Sequence, residues 1–315
     1  MFRMLSVVAL ATLVACGQSR GVADEDLGDL VVAKRDNQAP INAAKAAAEP
    51  AELSRALEQP LSTVLMALGP HTATLETKTT IEEAGQAVSD LADSTKLELG
   101  DKGAFHAVYT NTADYGREAI FVDGKMYLRP RYQKWHGRAP EGPNEPAQQR
   151  DTYYDAVEAT WDLLAPGAEL IDKGAVTLAG RAGRKIQIAR APKPAANPTE
   201  KLTQRKWREQ RVIEDVSGEV VLDEEKAVPL SVQLTGTISF MRDGRRFKMK
   251  TSVTELVVSL GPAPITAPAA EDVISTPERL REVDDRDMLL QGIAPPTRKQ
   301  ESGAVGAAPP PGATK

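Results

Sequence analysis

Cysteine is nearly missing from this sequence: one residue, Cys16, stands among 315. No disulfide can form within the chain, and no cysteine-based metal site or redox pair is available. Aromatic residues are scarce at 4%, which argues against a stacking platform for bases or sugars. Positive charge is not in excess. The formal net charge of -5 argues against the clustered basic surface that nucleic acid requires, so nucleic acid is not an expected partner. The three histidines, His71, His106 and His136, sit in separate segments. No His-Glu-x-x-His pattern, Gly-x-Ser-x-Gly elbow or phosphate-cradling loop accompanies them. The acidic pairs Glu82-Glu83, Glu224-Glu225 and Asp284-Asp285 fall in turn-like or surface contexts. The expectation is therefore no enzyme, no metal and no cofactor.

What is present begins at the N-terminus. Arg3 is followed by an almost unbroken apolar run from Leu5 to Val14, and then by Ala15 and Cys16. A membrane-spanning helix takes roughly 20 apolar residues, and this run is far shorter. A basic start, a short apolar stretch and a small-residue cleavage site make a secretory signal. Leu13, Val14, Ala15 and Cys16 resemble the lipobox of bacterial lipoproteins, in which the cysteine takes a diacylglyceryl group and cleavage exposes its amine for acylation. The resemblance implies membrane attachment through Cys16. It also implies a cell-envelope location, on the outer membrane facing the periplasm where the source has one, because Gly17 rather than aspartate follows. Two or more acyl chains make such an anchor lasting, at about 0.8 kcal/mol per buried methylene.

Residues 16–50 read as a tether. Asp24, Glu25, Asp26 and Asp29 are followed by an alanine-rich stretch near Ala43 to Ala48 and by Pro50. Such a segment offers little apolar surface to bury, and as a coil it would reach roughly 30 Å. Leu53, Leu57, Leu61, Val64, Leu65 and Leu68 then recur at helical spacing, with Pro60 as a break or kink and Gly69-Pro70 as the stop. About ten strand signals follow in hairpin order. Asp123-Gly124 and Asp243-Gly244 are strong hairpin turns. Tyr154, Val157, Trp161 and Leu164 predict one helix face over 147–164, closed by Pro166-Gly167. Thr199 to Val212 is compatible with helix or strand. Thr276-Pro277-Glu278 predicts a last helix ending near Gly292, and a Pro/Ala/Gly tail follows. The expected organisation is a signal over 1–15, the tether over 16–50, a body over 51–262 and the helix with its tail over 263–315.

The fold expected is α+β: a curved antiparallel sheet forming an incomplete barrel, with helices on its concave side. Gly218-Glu219-Val220-Val221-Leu222-Asp223, Val228-Pro229-Leu230 with the strand around Gly236, and the hairpin Val122 to Leu128 resemble segments of the lipoprotein-carrier half-barrel superfamily. Lol-type proteins and glycolipid-carrying actinobacterial lipoproteins belong to that group. The resemblance spans roughly residues 55–260. It implies an apolar cavity for acyl chains and carries over no catalytic residue. Inward-facing candidates for its lining are Leu75, Phe105, Tyr109, Phe121, Leu230, Val232, Leu234, Ile238, Phe240 and Met249. The basic run Arg129, Arg131, Lys134 and Arg138, interleaved with Tyr132 and Trp135, is a candidate contact for anionic headgroups. The partner expected is a membrane through the anchor, with a lipid or lipoprotein as ligand. The alternative is a scaffold lipoprotein whose filled core leaves its surface to bind another envelope protein.

Overall fold

The computed structural model describes residues 40–154 and 156–274. Cys16 with its lipobox, the acidic part of the tether, and the helix expected from Thr276 with its tail lie outside the described residues.

Twelve strands form one sheet: β1 (His71–Glu83), β2 (Gln86–Leu99), β3 (Phe105–Asn111), β4 (Gly116–Val122), β5 (Lys125–Pro130), β6 (Trp135–Arg138), β7 (Ala168–Leu178), β8 (Arg181–Arg190), β9 (Val212–Asp223), β10 (Pro229–Arg242), β11 (Arg245–Leu260) and β12 (Val273–Ile274). Their order is β12-β6-β5-β4-β3-β2-β1-β11-β10-β9-β8-β7. Every neighbouring pair is antiparallel except β12 with β6. The end strands β7 and β12 do not meet, so the curved sheet is a half-barrel, as expected. Hairpin turns account for most of the order. Asp123-Gly124 and Asp243-Gly244 have positive φ at both residues, and so do Ala84-Gly85 and Ala179-Gly180. Two such residues make the turn whose twist suits a two-residue hairpin. Long-range pairings are β12 on β6 and β1 on β11, which runs from His71 opposite Leu260 to Glu83 opposite Phe247.

Among the described residues five short helices supply the cover: α1 (Ala43–Ala46), α2 (Pro50–Leu57), α3 (Leu61–Leu68), α4 (Glu145–Asp151) and α5 (Ala156–Leu164). Asn42 caps α1 by accepting from the Lys45 N–H at 2.9 Å. Pro50 opens α2, where a missing N–H costs nothing. Pro60 separates α2 from α3 completely rather than kinking one helix, and Gly69, at φ 72°, ends α3.

The buried apolar residues form two clusters. In the first, α1, α2 and α5 cover Ile186, Val220, Val232, Leu234, Ile238 and Val253. In the second, Leu61, Val64 and Leu68 of α3 join Leu97, Phe105, Ala107, Ala119 and Met126. Trp161 on α5 donates its indole N–H to Ser54 Oγ on α2 at 2.8 Å, which ties the cover together.

Four expectations change. Ala43, Ala46 and Ala47, assigned to the tether, are buried in the first cluster, so the packed body begins before residue 51. It also continues past 262: residues 261–272 form a strap across the convex face, with Ala263 N–H bonded to Leu99 O at 3.0 Å, and end in β12. The helix expected over 147–164 is two helices, because residues between them turn toward the sheet. Thr199 to Val212 is neither a regular α-helix nor a strand. It forms 3-10 turns over Thr203–Gln210 before β9, and Trp207 packs on Phe240 with ring centroids 4.3 Å apart.

Helix α5 sits close to the sheet because Gly236 has no side chain. A Cβ there would lie 2.3 Å from Leu164 Cδ2. Gly236→Ala should therefore destabilise the fold by about 1–3 kcal/mol, read as a lower urea midpoint. Combining it with Leu164→Ala should cost less than the sum of the two changes, because the second removes the atoms that clash.

Candidate functional site

Strand register places one row of inward-facing residues across eight strands. It runs Ile186, Val220, Val232, Glu255, Leu75, Thr95, Tyr109 and Arg117, from β8 to β4. The row is apolar on β8 to β10 and polar on β2 to β4. One row lower, Val253 faces Thr77, and Thr77 faces Asp93. The concave face thus has an apolar half, filled by helices, and a polar region near the second cluster.

A cavity of about 280 Å³ occupies the polar region, lined by Leu75, Thr77, Asp93, Thr95, Tyr109 and Arg117 from the sheet and by Thr152, Tyr153 and Ala156 from the cover. Its size lies just under the roughly 300–1,000 Å³ of typical small-molecule sites. Tyr109 donates its hydroxyl to Asp93 Oδ1, and Thr77 Oγ1 donates to Asp93 Oδ2 at 3.1 Å. Arg117 Nη2 donates to Thr152 O at 3.0 Å and to its Oγ1 at 3.2 Å. Its guanidinium stacks 4.5 Å from the Tyr153 ring centroid. Burial pushes the Tyr153 hydroxyl up to about 12.

The segment between α4 and α5 is tied down at a second point. Glu255 projects from β11 into the packed interior with 4% of its surface exposed. Burial pushes its carboxyl up to about 7, against a smaller opposing effect of the hydrogen bond from Tyr154. Burial, and then the nearness of Glu255, raise the Tyr154 hydroxyl well above its ordinary value. Tyr154 therefore leaves the helix face that its spacing with Val157 and Trp161 implies and turns toward β11.

Of the ten candidates for an apolar lining, the structure brings Leu75 and Tyr109 to the cavity. Val232, Leu234, Ile238, Phe240 and Met249 lie in the first cluster, Phe105 and Leu230 lie in the second, and Phe121 packs against the second. These eight are packed core. The residues that sequence reasoning missed are Thr77, Asp93, Thr95, Arg117 and Glu255. The last carried a legible signal: a carboxyl between Val253 and Val257 on a mostly apolar inward face.

The four candidate headgroup contacts do not converge. Arg129 pairs with Glu118 and stacks on Trp135 at 4.3 Å. Arg131 pairs with Asp114 at 3.1 Å, and Arg138 with Glu145. Lys134 Nζ donates to Glu271 O on the strap at 3.0 Å. His106 lies between Glu98, at 3.2 Å, and Glu118, at 3.5 Å. That group borders a cavity of about 180 Å³ beneath strap residues 264–268 on the convex face, away from the concave site. Among the described residues no cluster of three or more metal-ligating side chains occurs.

Glu255 makes stability depend on pH. Its folded-state value is raised, so the folded protein holds a proton that the unfolded chain loses above about 4.5. Stability should fall as pH rises from about 4.5 to about 7 and level off beyond, by a term on the order of 3 kcal/mol. Urea unfolding across that window should show the fall in the wild type and a shallower one in Glu255→Gln. Identical pH slopes in the two proteins would contradict the assignment.

No protein-family model matches this sequence, and no curated protein matches it. Several solved structures align with it at low similarity. The lipoprotein LppX of Mycobacterium tuberculosis aligns at 12% identity and a TM-score of 0.27, over 70% of this chain and all of that one (100%). A putative outer membrane lipoprotein-sorting protein domain from Vibrio parahaemolyticus aligns at 10% identity and a TM-score of 0.19, over 73% and 97%. MucB aligns at 15% identity and a TM-score of 0.19, over 69% and 62%, so this chain spans about three fifths of MucB. The half-barrel is assigned here on strand order and register alone.

Proposed function

We propose that this chain is a lipid-anchored, non-catalytic binding protein of the bacterial cell envelope, which takes a lipid or lipidated ligand at the concave face of its half-barrel. The observation that carries this reading is the cavity of about 280 Å³ between the polar strands and the cover. Apolar clusters lie on either side of it, and its outer wall is Thr152, Tyr153 and Ala156, from the end of α4 to the start of α5. That wall is held by the Arg117 contacts to Thr152 and by the Tyr154–Glu255 bond, so a small displacement of α4 and α5 would lengthen the cavity into apolar surroundings. The sequence at Leu13 to Cys16 supports the anchor, and a membrane-held body meets its ligand close to lipid. No helix among the described residues is long and apolar enough to cross a membrane.

A second reading, a scaffold lipoprotein that binds another envelope protein, is favoured by one observation. Eight of the ten apolar candidates are already packed against the chain's own helices or neighbouring core. On this reading the interior is a permanent core and recognition belongs to the outer surface.

Native mass spectrometry of the mature chain separates the two. The protein is stripped of lipid and then offered total envelope lipids. The carrier reading expects retained lipid at a fixed stoichiometry. Complete absence of lipid, together with crosslinking in cells to one protein partner, would replace it with the scaffold reading.

A further inference from the structure

The cavity holds one positive and one negative side chain that do not neutralise each other. Arg129, Arg131 and Arg138 all pair with carboxylates. Arg117 differs: its bonds go to a carbonyl and a hydroxyl of Thr152, and among the described residues no carboxylate lies within ion-pair distance. One edge of its guanidinium is committed to the cover, and the remaining N–H groups are free to donate. Asp93 is its counterpart. Both of its oxygens accept from hydroxyls, of Tyr109 and Thr77, and no cation pairs with it among the described residues. An ionised carboxylate has about four acceptor positions, so further donors can be taken.

These two groups stand on β2 and β4 with β3 between them. They also lie one row apart, Asp93 opposite Asn111 and Arg117 opposite Tyr109, so their backbones are about 12 Å apart. Thr95 and Tyr109 lie on the floor between them and line the same cavity. A purely anionic ligand would meet Arg117 but face Asp93 across this floor. A purely cationic one would have the reverse difficulty. A ligand with both charges satisfies both ends, and the unfavourable pairings discriminate against the others.

We propose that this cavity recognises a zwitterionic headgroup of the phosphoethanolamine type, with phosphate on Arg117 and primary ammonium on Asp93. The guanidinium fork suits a phosphate, and an ammonium offers three donors to a carboxylate that still has acceptor positions. The inference rests on the reading of the concave face as a lipid site and names the headgroup that site selects. The acyl chain of such a ligand would lie toward Leu75 and the apolar clusters.

The test uses three soluble lipids with the same single acyl chain: lysophosphatidylethanolamine, lysophosphatidylglycerol and monoacylglycerol. Each is titrated against the mature chain, with free phosphoethanolamine as a competitor. The wild type should bind the ethanolamine lipid most tightly and the monoacylglycerol most weakly. Arg117→Gln should weaken both phospholipids about tenfold more than it weakens monoacylglycerol, with circular dichroism showing that the variant is folded. Asp93→Asn should abolish the preference for ethanolamine over glycerol. Free phosphoethanolamine should compete only weakly; competition equal to that of the lipid would assign the site to a soluble zwitterion and overturn the lipid source. Equal wild-type affinity for all three lipids, or unchanged phospholipid binding by Arg117→Gln, would overturn the headgroup inference while leaving a lipid site. Failure of the wild type to bind any of the three would remove the underlying reading as well.

Discussion

The pairing of β1 with β11 is the contact on which the molecule depends. It joins the hairpin series β1 to β6 to the series β7 to β11, and nothing in the local sequence of either strand supplies it. Leu75 stands opposite Glu255, and Ala73 opposite Val257. A slip of one residue would turn every inward side chain of one half outward. The second cluster would be lost, because it takes buried residues from strands on both sides of this seam, and Leu75 and Ile81 of β1 would leave the first. The chain must close a long loop before the pairing forms, a slow kind of contact. Hairpins that form locally on either side reduce what remains to be searched.

Covering a twelve-stranded sheet with five short helices leaves an uneven interior. Where α1, α2 and α5 lie on β8 to β11, the facing residues are mostly Val, Ile and Leu, buried in the first cluster. Gly236 lets Leu164 approach the sheet there. Toward β2 to β4 the facing residues become Thr95, Asp93, Tyr109 and Arg117, and a cavity remains. Glu255 stands at the divide. An apolar residue there would extend the core; a carboxyl instead demands a partner, and Tyr154 provides it. That demand pulls the chain out of helical geometry between α4 and α5 and forms the cavity wall. The polar site and the break in the cover thus share one cause.

Much of the sheet was legible because its signals are local. Asp123-Gly124 and Asp243-Gly244 marked their turns, and the alternation of Val232, Leu234, Ile238 and Phe240 gave the buried face of β10. Ala84-Gly85 and Ala179-Gly180 serve the same turn geometry with a residue less typical of it, so the long β1–β2 hairpin was less visible. Other features depended on distant partners. The alanines of α1 look like a tether until the first cluster gives their small side chains something to pack against; so short a helix has little stability of its own. Tyr154 fits the spacing of a helix face, and only Glu255, far along the chain, removes it. The site residues were harder still, since Thr, Asp and Arg on a strand are ordinary surface residues until register places them in one row.

The proposed ligand enters between the polar strands and the segment joining α4 to α5. Amide hydrogen exchange of the mature chain, with and without bound envelope lipid, tests it most directly. Exchange should change on lipid binding in residues 152–164 and in β1 to β4, while the strap over 261–272 on the convex face is unaffected. A change confined to that strap or to the convex edge at β6, with the α4–α5 segment unaltered, would contradict it.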